Sequence, residues 1–427
     1  MTQEQSMLFG RWQKRVVLYS AIGYAFFYLV RKNLSMAQPG MMEEGVISIE
    51  ALGVIMTAHG LLYGASRFIN GLWADRVNAR VFMVLGLLMS AVLNLLFGCV
   101  SLTVLFSVFW LANGWTQGMG FPPCTKMLTH WIHPKELATK MSIWNASHSV
   151  GAVMALGLCS LLIWLGFNWR WCFWIPGVLA LAAAALVFLM VRETPSEVGL
   201  PEIEVGAARR DAAKPDRFRL VFGNKVIWIV SAANFFVYSV RFGFLDWGPT
   251  FLKQFKGIPV AKGGLMIIAF ELAAVVGTVF AGWITDRIFG GRGQRTCVFC
   301  MASAALFAFA FWWLPAGAPM WQATLLLMGA GFCIYGPQAL AGIITANQAT
   351  KDAAALATGF SGACGYLSTT VSGIGLALVS KHFGWGGALA VIALLAVVGM
   401  ALFMLAWSSS ADGYDRHGER KDVDDDK

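Results

Sequence analysis

Four basic side chains fall inside apolar runs, where a charge is costly: Arg31, Lys32, Arg67 and Arg241. An arginine near the centre of a bilayer costs about 2.5–3.5 kcal/mol on insertion scales, so each is a functional candidate by default. Tyr24, Tyr28 and Arg31 are spaced i, i+4, i+7 and share one helix face. Asn234, Tyr238 and Arg241 repeat that face at an offset of 210 residues. A guanidinium is permanently charged, is weakly hydrated, and grips an oxyanion through two parallel N–H bonds. Two converging guanidinium groups suit an oxyanion of charge about −2, the state of a phosphate monoester near neutral pH. A single arginine could instead snorkel to the interface or pair with an acid; two at matching positions argue for a bound anion.

Other polar residues lie near this pattern. Lys32 points about 100° away from Arg31 on the helix wheel, and Asp246 and Glu271 are its candidate partners. Such an ion pair either gates one face or simply neutralises charge. Arg67, Asn145 and His148 are candidates to touch the phosphate or the organic part of a ligand, and Gln117 reads as a cavity or helix-packing residue. His130 and His133 fall near a loop and read as solvated. Cys297 and Cys300 form the only close cysteine pair, too few ligands for zinc. The sequence contains no Gly-x-x-x-x-Gly-Lys-Ser/Thr loop, no nucleophile–base constellation and no paired catalytic acids. No ATP-driven pumping, enzymatic activity, metal or cofactor is therefore expected.

The elements that must position these groups follow from composition. Of 427 residues, 58% are apolar and only 13% charged, against about 25% charged in soluble domains. Mean hydropathy is +0.64. The chain therefore reads as an all-α integral membrane protein embedded in the lipid bilayer. A span takes about 20 apolar residues, which places twelve near 16–37, 51–74, 81–101, 103–125, 141–165, 171–191, 225–250, 263–285, 297–314, 320–345, 354–380 and 385–407. Only Arg170, Lys253, Lys256, Lys262 and Lys381 of the 32 basic residues fall in the outer loops when both termini are cytoplasmic, so the chain is expected to be N-in and C-in. The net charge of +9 reflects this bias and implies no nucleic-acid partner.

The twelve spans divide into two copies. Gly71-Leu-Trp-Ala-Asp75-Arg76 follows the second span and Gly282-Trp-Ile-Thr-Asp286-Arg287 the eighth, at an offset of 211. Residues 1–191 are expected to form one six-helix bundle and 225–407 the other. A cytoplasmic linker, 192–224, joins them, and 408–427 is a polar cytoplasmic tail. Parallel repeats of this kind are a transporter architecture with substrate sites near the midplane, between the halves. Asp75, Arg76, Asp286 and Arg287 are candidates for a cytoplasmic gate, with a plain loop turn as the simpler reading.

The Gly-x-x-x-Asp-Arg loops resemble those of the major facilitator superfamily. Gly23-Tyr-Ala-Phe-Phe-Tyr-Leu-Val-Arg31-Lys-Asn and Phe236-Val-Tyr-Ser-Val-Arg241-Phe-Gly-Phe-Leu-Asp246-Trp-Gly-Pro-Thr-Phe-Leu-Lys are similar to motifs of its organophosphate:phosphate antiporters. So are Gln117-Gly-Met-Gly-Phe-Pro-Pro-Cys, Trp144-Asn-Ala-Ser-His148 and Tyr335-Gly-Pro. The resemblance implies that Arg31 and Arg241 bind phosphate, that His148 lines the site, and that Lys32, Asp246 and Glu271 pair on the extracellular side. It also implies a bacterial inner-membrane carrier that swaps glycerol-3-phosphate or a hexose 6-phosphate for inorganic phosphate by rocker-switch motion. Because one chain already supplies both halves of a site, a monomer is expected to function. A few relatives are instead sensors of external hexose phosphate. One departure is Arg67, where carriers of glycerol-3-phosphate or hexose 6-phosphate usually have lysine.

Overall fold

The computed structural model describes residues 2–74, 76–132, 140–141, 144–202, 217–315 and 317–411. Among them every regular element is helical. In chain order these are α1 (Gln3–Glu43), α2 (Ile49–Ala74), α3 (Ala79–Cys99), α4 (Thr103–Gln117), α5 (Phe121–Trp131), α6 (Ser147–Trp164) and α7 (Trp171–Met190). After a 3₁₀ turn at Pro195–Val198 come α8 (Arg217–Phe222), α9 (Lys225–Lys256), α10 (Val260–Arg287), α11 (Gly293–Trp313), α12 (Met320–Gln348), α13 (Thr350–Leu367) and α14 (Leu376–Leu405). Among the described residues, eight helical stretches are long and apolar enough to cross a membrane. The chain divides into two compact units, Met1–Arg210 with Val260–Leu265, and Asp211–Pro259 with Met266–Lys427.

Local chemistry explains where helices start and break. Thr2 and Gln5 form a reciprocal capping box at the start of α1, with bonds of 3.2 and 2.9 Å. The span expected as one helix over 103–125 is two helices, α4 and α5, interrupted at Gly118–Gly120. A side chain at Gly118 would strike Ser66 Oγ and the Arg67 backbone nitrogen. The break is thus where α4 runs backbone to backbone against α2, and Pro122 and Pro123 restart the helix as α5. The expected span 354–380 likewise includes a wider π turn at Val371–Gly375, and α14 breaks at Gly384, whose φ of 70° is in the left-handed region.

In the first unit α1 packs on α6 and α7, α3 on α4 and α7, and α2 on α4. In the second, α9 packs on α12, α13 and α14, and α11 on α12 and α14. Small residues also allow close approaches: a Cβ at Gly277 in α10 would collide with the Phe332 carbonyl of α12.

At the Arg76 end of the first unit, Lys126 of α5 holds the turns together. Its ammonium pairs with Glu193 at 2.8 Å and donates to the carbonyls of Ala74 (3.1 Å) and Val77 (3.0 Å). Glu193 also accepts from the Ala79 N–H at the start of α3 (3.0 Å), where an anion is favoured by the helix dipole. Replacing Lys126→Met leaves Glu193 buried without its cation. It is expected to cost about 1–3 kcal/mol, read as a lower unfolding midpoint in detergent; an unchanged midpoint would make the contact incidental.

Candidate functional site

In the first unit, α1 carries Tyr24, Tyr28 and Arg31 on one face, and the helix departs from α geometry at Val30, immediately before the arginine (φ −87°, ψ 16°). That departure releases the Val30 carbonyl, which accepts from Asn94 of α3 (2.9 Å) and Asn113 of α4 (3.2 Å). Asn33 donates to Asn94 Oδ1 and to the Cys172 carbonyl, both at 2.8 Å. Buried polar groups of α3, α4 and α7 thus hold the break in place from both sides.

Arg31 is half-buried, its guanidinium 4.2 Å above the Tyr63 ring of α2 and 5.4 Å from that of Tyr28. Such stacking favours a cation in an apolar setting. Tyr28 meets Tyr24 at 5.5 Å and the His148 ring at 5.4 Å. Tyr24 stacks on Trp144 at 4.8 Å and meets Phe121 at 5.9 Å. Arg67 lies over Phe121, 4.1 Å from its centroid. His148 Nδ1 is hydrogen-bonded to the Asn145 carbonyl, and the Asn145 side chain is exposed. Gln117 is buried and reaches Ser90 Oγ at 3.4 Å, with Ser90 bonded to Thr116 at 2.7 Å; this is a helix-packing seam.

In the second unit, Asn234, Tyr238 and Arg241 lie along α9. Asn234 is turned into α13, donating to the Ser361 carbonyl at 2.9 Å. Tyr238 meets Tyr366 at 5.8 Å and Phe242 at 5.5 Å. Arg241 is buried, with its guanidinium 4.4 Å above the Tyr335 ring of α12. The Tyr335 hydroxyl donates to Glu271 Oε1 of α10 at 2.7 Å. Glu271 is 1% exposed, and its Oε2 has no hydrogen-bond partner among the described residues. Arg241, Tyr335 and Glu271 therefore form one relay of cation, phenol and carboxylate across three helices.

Lys32 is buried on α1 and Asp246 is half-buried on α9. Arg76 is exposed in the turn after α2, whereas Asp286 and Arg287 belong to the last helical turn of α10 and are exposed there. Asp75 and His133 lie outside the described residues. His130 is 3.5 Å from Glu202. Three residues that spacing within one helix does not reveal are Tyr63, Phe121 and Tyr335, each beneath an arginine of another helix. The signal available for Tyr63 is its place one turn before Arg67; for Tyr335, a polar aromatic inside an apolar run.

Tyr335→Phe removes the donor to a buried carboxylate and is expected to cost about 1–3 kcal/mol of stability. Combining it with Glu271→Gln should recover part of that loss, a coupling of about 0.5 kcal/mol or more in a double-mutant cycle. Strictly additive losses would separate the two residues.

Residues 20–372 match the Major Facilitator Superfamily. The chain is 35% identical to a "Glycerol-3-phosphate transporter" of Bacillus subtilis over 94% of both chains. It is 31% identical to a "Probable hexose phosphate transport protein" of Chlamydia trachomatis, over 95% of this chain and 93% of that one. The "Membrane sensor protein UhpC" of Escherichia coli is 32% identical over 92% of each. Among solved structures, an inward-facing bacterial homologue of the lysosomal transporter Spinster superposes with a TM-score of 0.77 at 16% identity, over 93% of this chain and 97% of that one, which speaks to fold alone. An all-helical, multi-pass protein of the bacterial inner membrane, and not an enzyme, the chain belongs to the Major Facilitator Superfamily and, within it, to the organophosphate:phosphate antiporter family.

Proposed function

We propose that this transporter exchanges an organic phosphate ester for inorganic phosphate, with Arg31 and Arg241 each contributing a guanidinium to the same phosphate group. Glycerol-3-phosphate and hexose phosphate, the solutes in the names of its relatives, define the class of ester. The observation that carries the reading is the repeated setting of the two arginines. Each lies on a long helix at matching offsets and is stacked over a tyrosine from another helix of its own unit. Stacking holds the planar group in one orientation, which suits a guanidinium to grip an oxyanion.

Exchange follows from electrostatics. Bringing two permanent cations together in a low-dielectric interior is unfavourable unless an anion lies with them. A phosphate dianion cancels that charge, so the loaded carrier reorients and the empty one does so slowly. Rocker-switch motion of two six-helix bundles, joined by the linker 192–224 and oriented N-in and C-in across twelve spans, is the transport cycle this implies. Lys32, Asp246 and Glu271 gate the outer side in this cycle, Asp75, Arg76, Asp286 and Arg287 the inner side, and a single chain suffices. Tyr24, Tyr28, Arg67, Asn145, His148, Asn234 and Tyr238 line the path.

The experiment is uptake of radiolabelled phosphate into proteoliposomes preloaded with phosphate, competed by glycerol-3-phosphate and by glucose 6-phosphate. Rapid exchange that one ester inhibits is expected. Arg31→Lys or Arg241→Lys should lower exchange at least about tenfold, because one bidentate charged contact is lost. Full exchange at normal affinity in either variant would refute the two-arginine site. The similarity to UhpC gives the sensor reading some support, and saturable binding without exchange would select it.

A further inference from the structure

Three guanidinium groups converge on the last residues of α7 in the first unit. Arg15 of α1 directs its Nη2 at Met190 Sδ. Arg80 of α3 and Arg192, just after α7, donate to the same Val191 carbonyl, at 3.4 and 2.8 Å. Arg192 also reaches the Leu189 carbonyl at 3.3 Å. The Trp12 ring gathers two of the three, with the Arg15 and Arg192 guanidinium carbons 4.6 and 5.8 Å from its centroid. That ring stacks on Trp131 at 6.3 Å, and the Trp131 indole N–H donates to the Arg192 carbonyl at 3.0 Å. The cluster is thus held in place by α1, α3, α5 and α7.

Capping a helix end does not account for so much charge. The terminal carbonyls of a helix attract a cation with the equivalent of about half a negative charge, and three permanent positive charges meet it here. Among the described residues no carboxylate pairs with Arg15, Arg80 or Arg192. The neighbouring Glu193 is committed to Lys126 at 2.8 Å and to the Ala79 N–H, and Glu197 accepts from Asn78 at 3.2 Å. Arg80 Nε is buried and has no hydrogen-bond partner among the described residues. Arg11, four residues before Arg15 on the same face of α1, adds an exposed cation. Like charges sharing one carbonyl oxygen repel, and an anion bound among them relieves that repulsion.

The surroundings indicate where the anion comes from. The Arg80 guanidinium lies 5.1 Å from the Phe188 ring, and Phe188 and Leu189 are 47% and 62% exposed. Val81 and Leu85 on α3 and Leu18 on α1 are exposed as well. Outward apolar surface on a membrane helix meets acyl chains, and arginines at its border lie at headgroup depth. A soluble phosphate has no use for this apolar rim, whereas a phospholipid sets its phosphate on the guanidinium groups and its chains along Phe188 and Leu189. We infer that the ends of α1, α3 and α7 form a binding site for the phosphodiester headgroup of an anionic phospholipid. The site uses none of the residues assigned to the transported anion.

The test is native mass spectrometry of the full chain purified in detergent, titrated with phosphatidylglycerol or phosphatidylethanolamine of identical acyl chains. Phosphatidylglycerol should bind at least about fivefold more tightly. Arg80→Gln and Arg192→Gln should each weaken it about fivefold, the effect of one cation at a membrane surface, and leave phosphatidylethanolamine unchanged. Equal binding of the two lipids, or an unaltered phosphatidylglycerol affinity in both variants, overturns the inference. If these variants do not fold, Arg15→Gln, whose guanidinium meets a thioether rather than a carbonyl, carries the same expectation and the same refutation. Excess glycerol-3-phosphate, which lacks acyl chains, should leave the bound lipid in place; displacement would assign the cluster to a soluble phosphate and overturn the lipid site.

Discussion

A guanidinium cannot shed its charge when it enters an apolar medium, so the protein around it must supply what water no longer does. Aromatic faces supply part of it here. Arg31 over Tyr63, Arg67 over Phe121 and Arg241 over Tyr335 are three instances of one solution, each using a ring from a different helix than the cation. The face of a ring attracts the cation electrostatically, through its quadrupole. A carboxylate would neutralise the arginine and occupy its N–H donors. The nearby buried acid, Glu271, meets the phenol of Tyr335 at 2.7 Å, with Tyr335 interposed between it and Arg241.

Much of the surrounding framework can be understood as fixing those stacks. The break at Val30 leaves a carbonyl that would be costly unpaired in a membrane, and Asn94 and Asn113 satisfy it from two neighbouring helices. The interruption of the expected fourth span at Gly118–Gly120 brings α4 against the α2 backbone beside Arg67 and starts α5 at Phe121. Two backbone irregularities, at Val30 and at Gly118–Gly120, thus lie next to charged or aromatic site candidates. A carrier that must bind tightly enough to select and weakly enough to release gains from such placement, since orientation is fixed in advance of the ligand.

The face of α1 bearing Tyr24, Tyr28 and Arg31 was legible in the sequence because helical spacing alone puts these residues together. The same holds for Asn234, Tyr238 and Arg241 on α9, where the fold sets Asn234 and Tyr238 together against α13. Gln117 shows the limit of such reading: a polar residue in an apolar run fits a cavity or a seam, and its bond to Ser90 is of the second kind. Asp286 and Arg287, expected after a helix, instead complete the last turn of α10, because a charged end can extend a helix beyond its apolar stretch.

The sequence by itself determined the membrane character, the helical class, the internal repeat and the charged residues that demand a purpose. Each of these depends on composition or on spacing within one segment, where the 3.6-residue period and the cost of a buried charge act locally. Only the tertiary structure decided that Tyr63, Phe121 and Tyr335 lie beneath the arginines, that Lys126 joins Glu193, and that the expected fourth span is two helices. Those facts depend on which helix faces which and how closely their backbones approach, and that is settled by packing among residues tens to hundreds of positions apart.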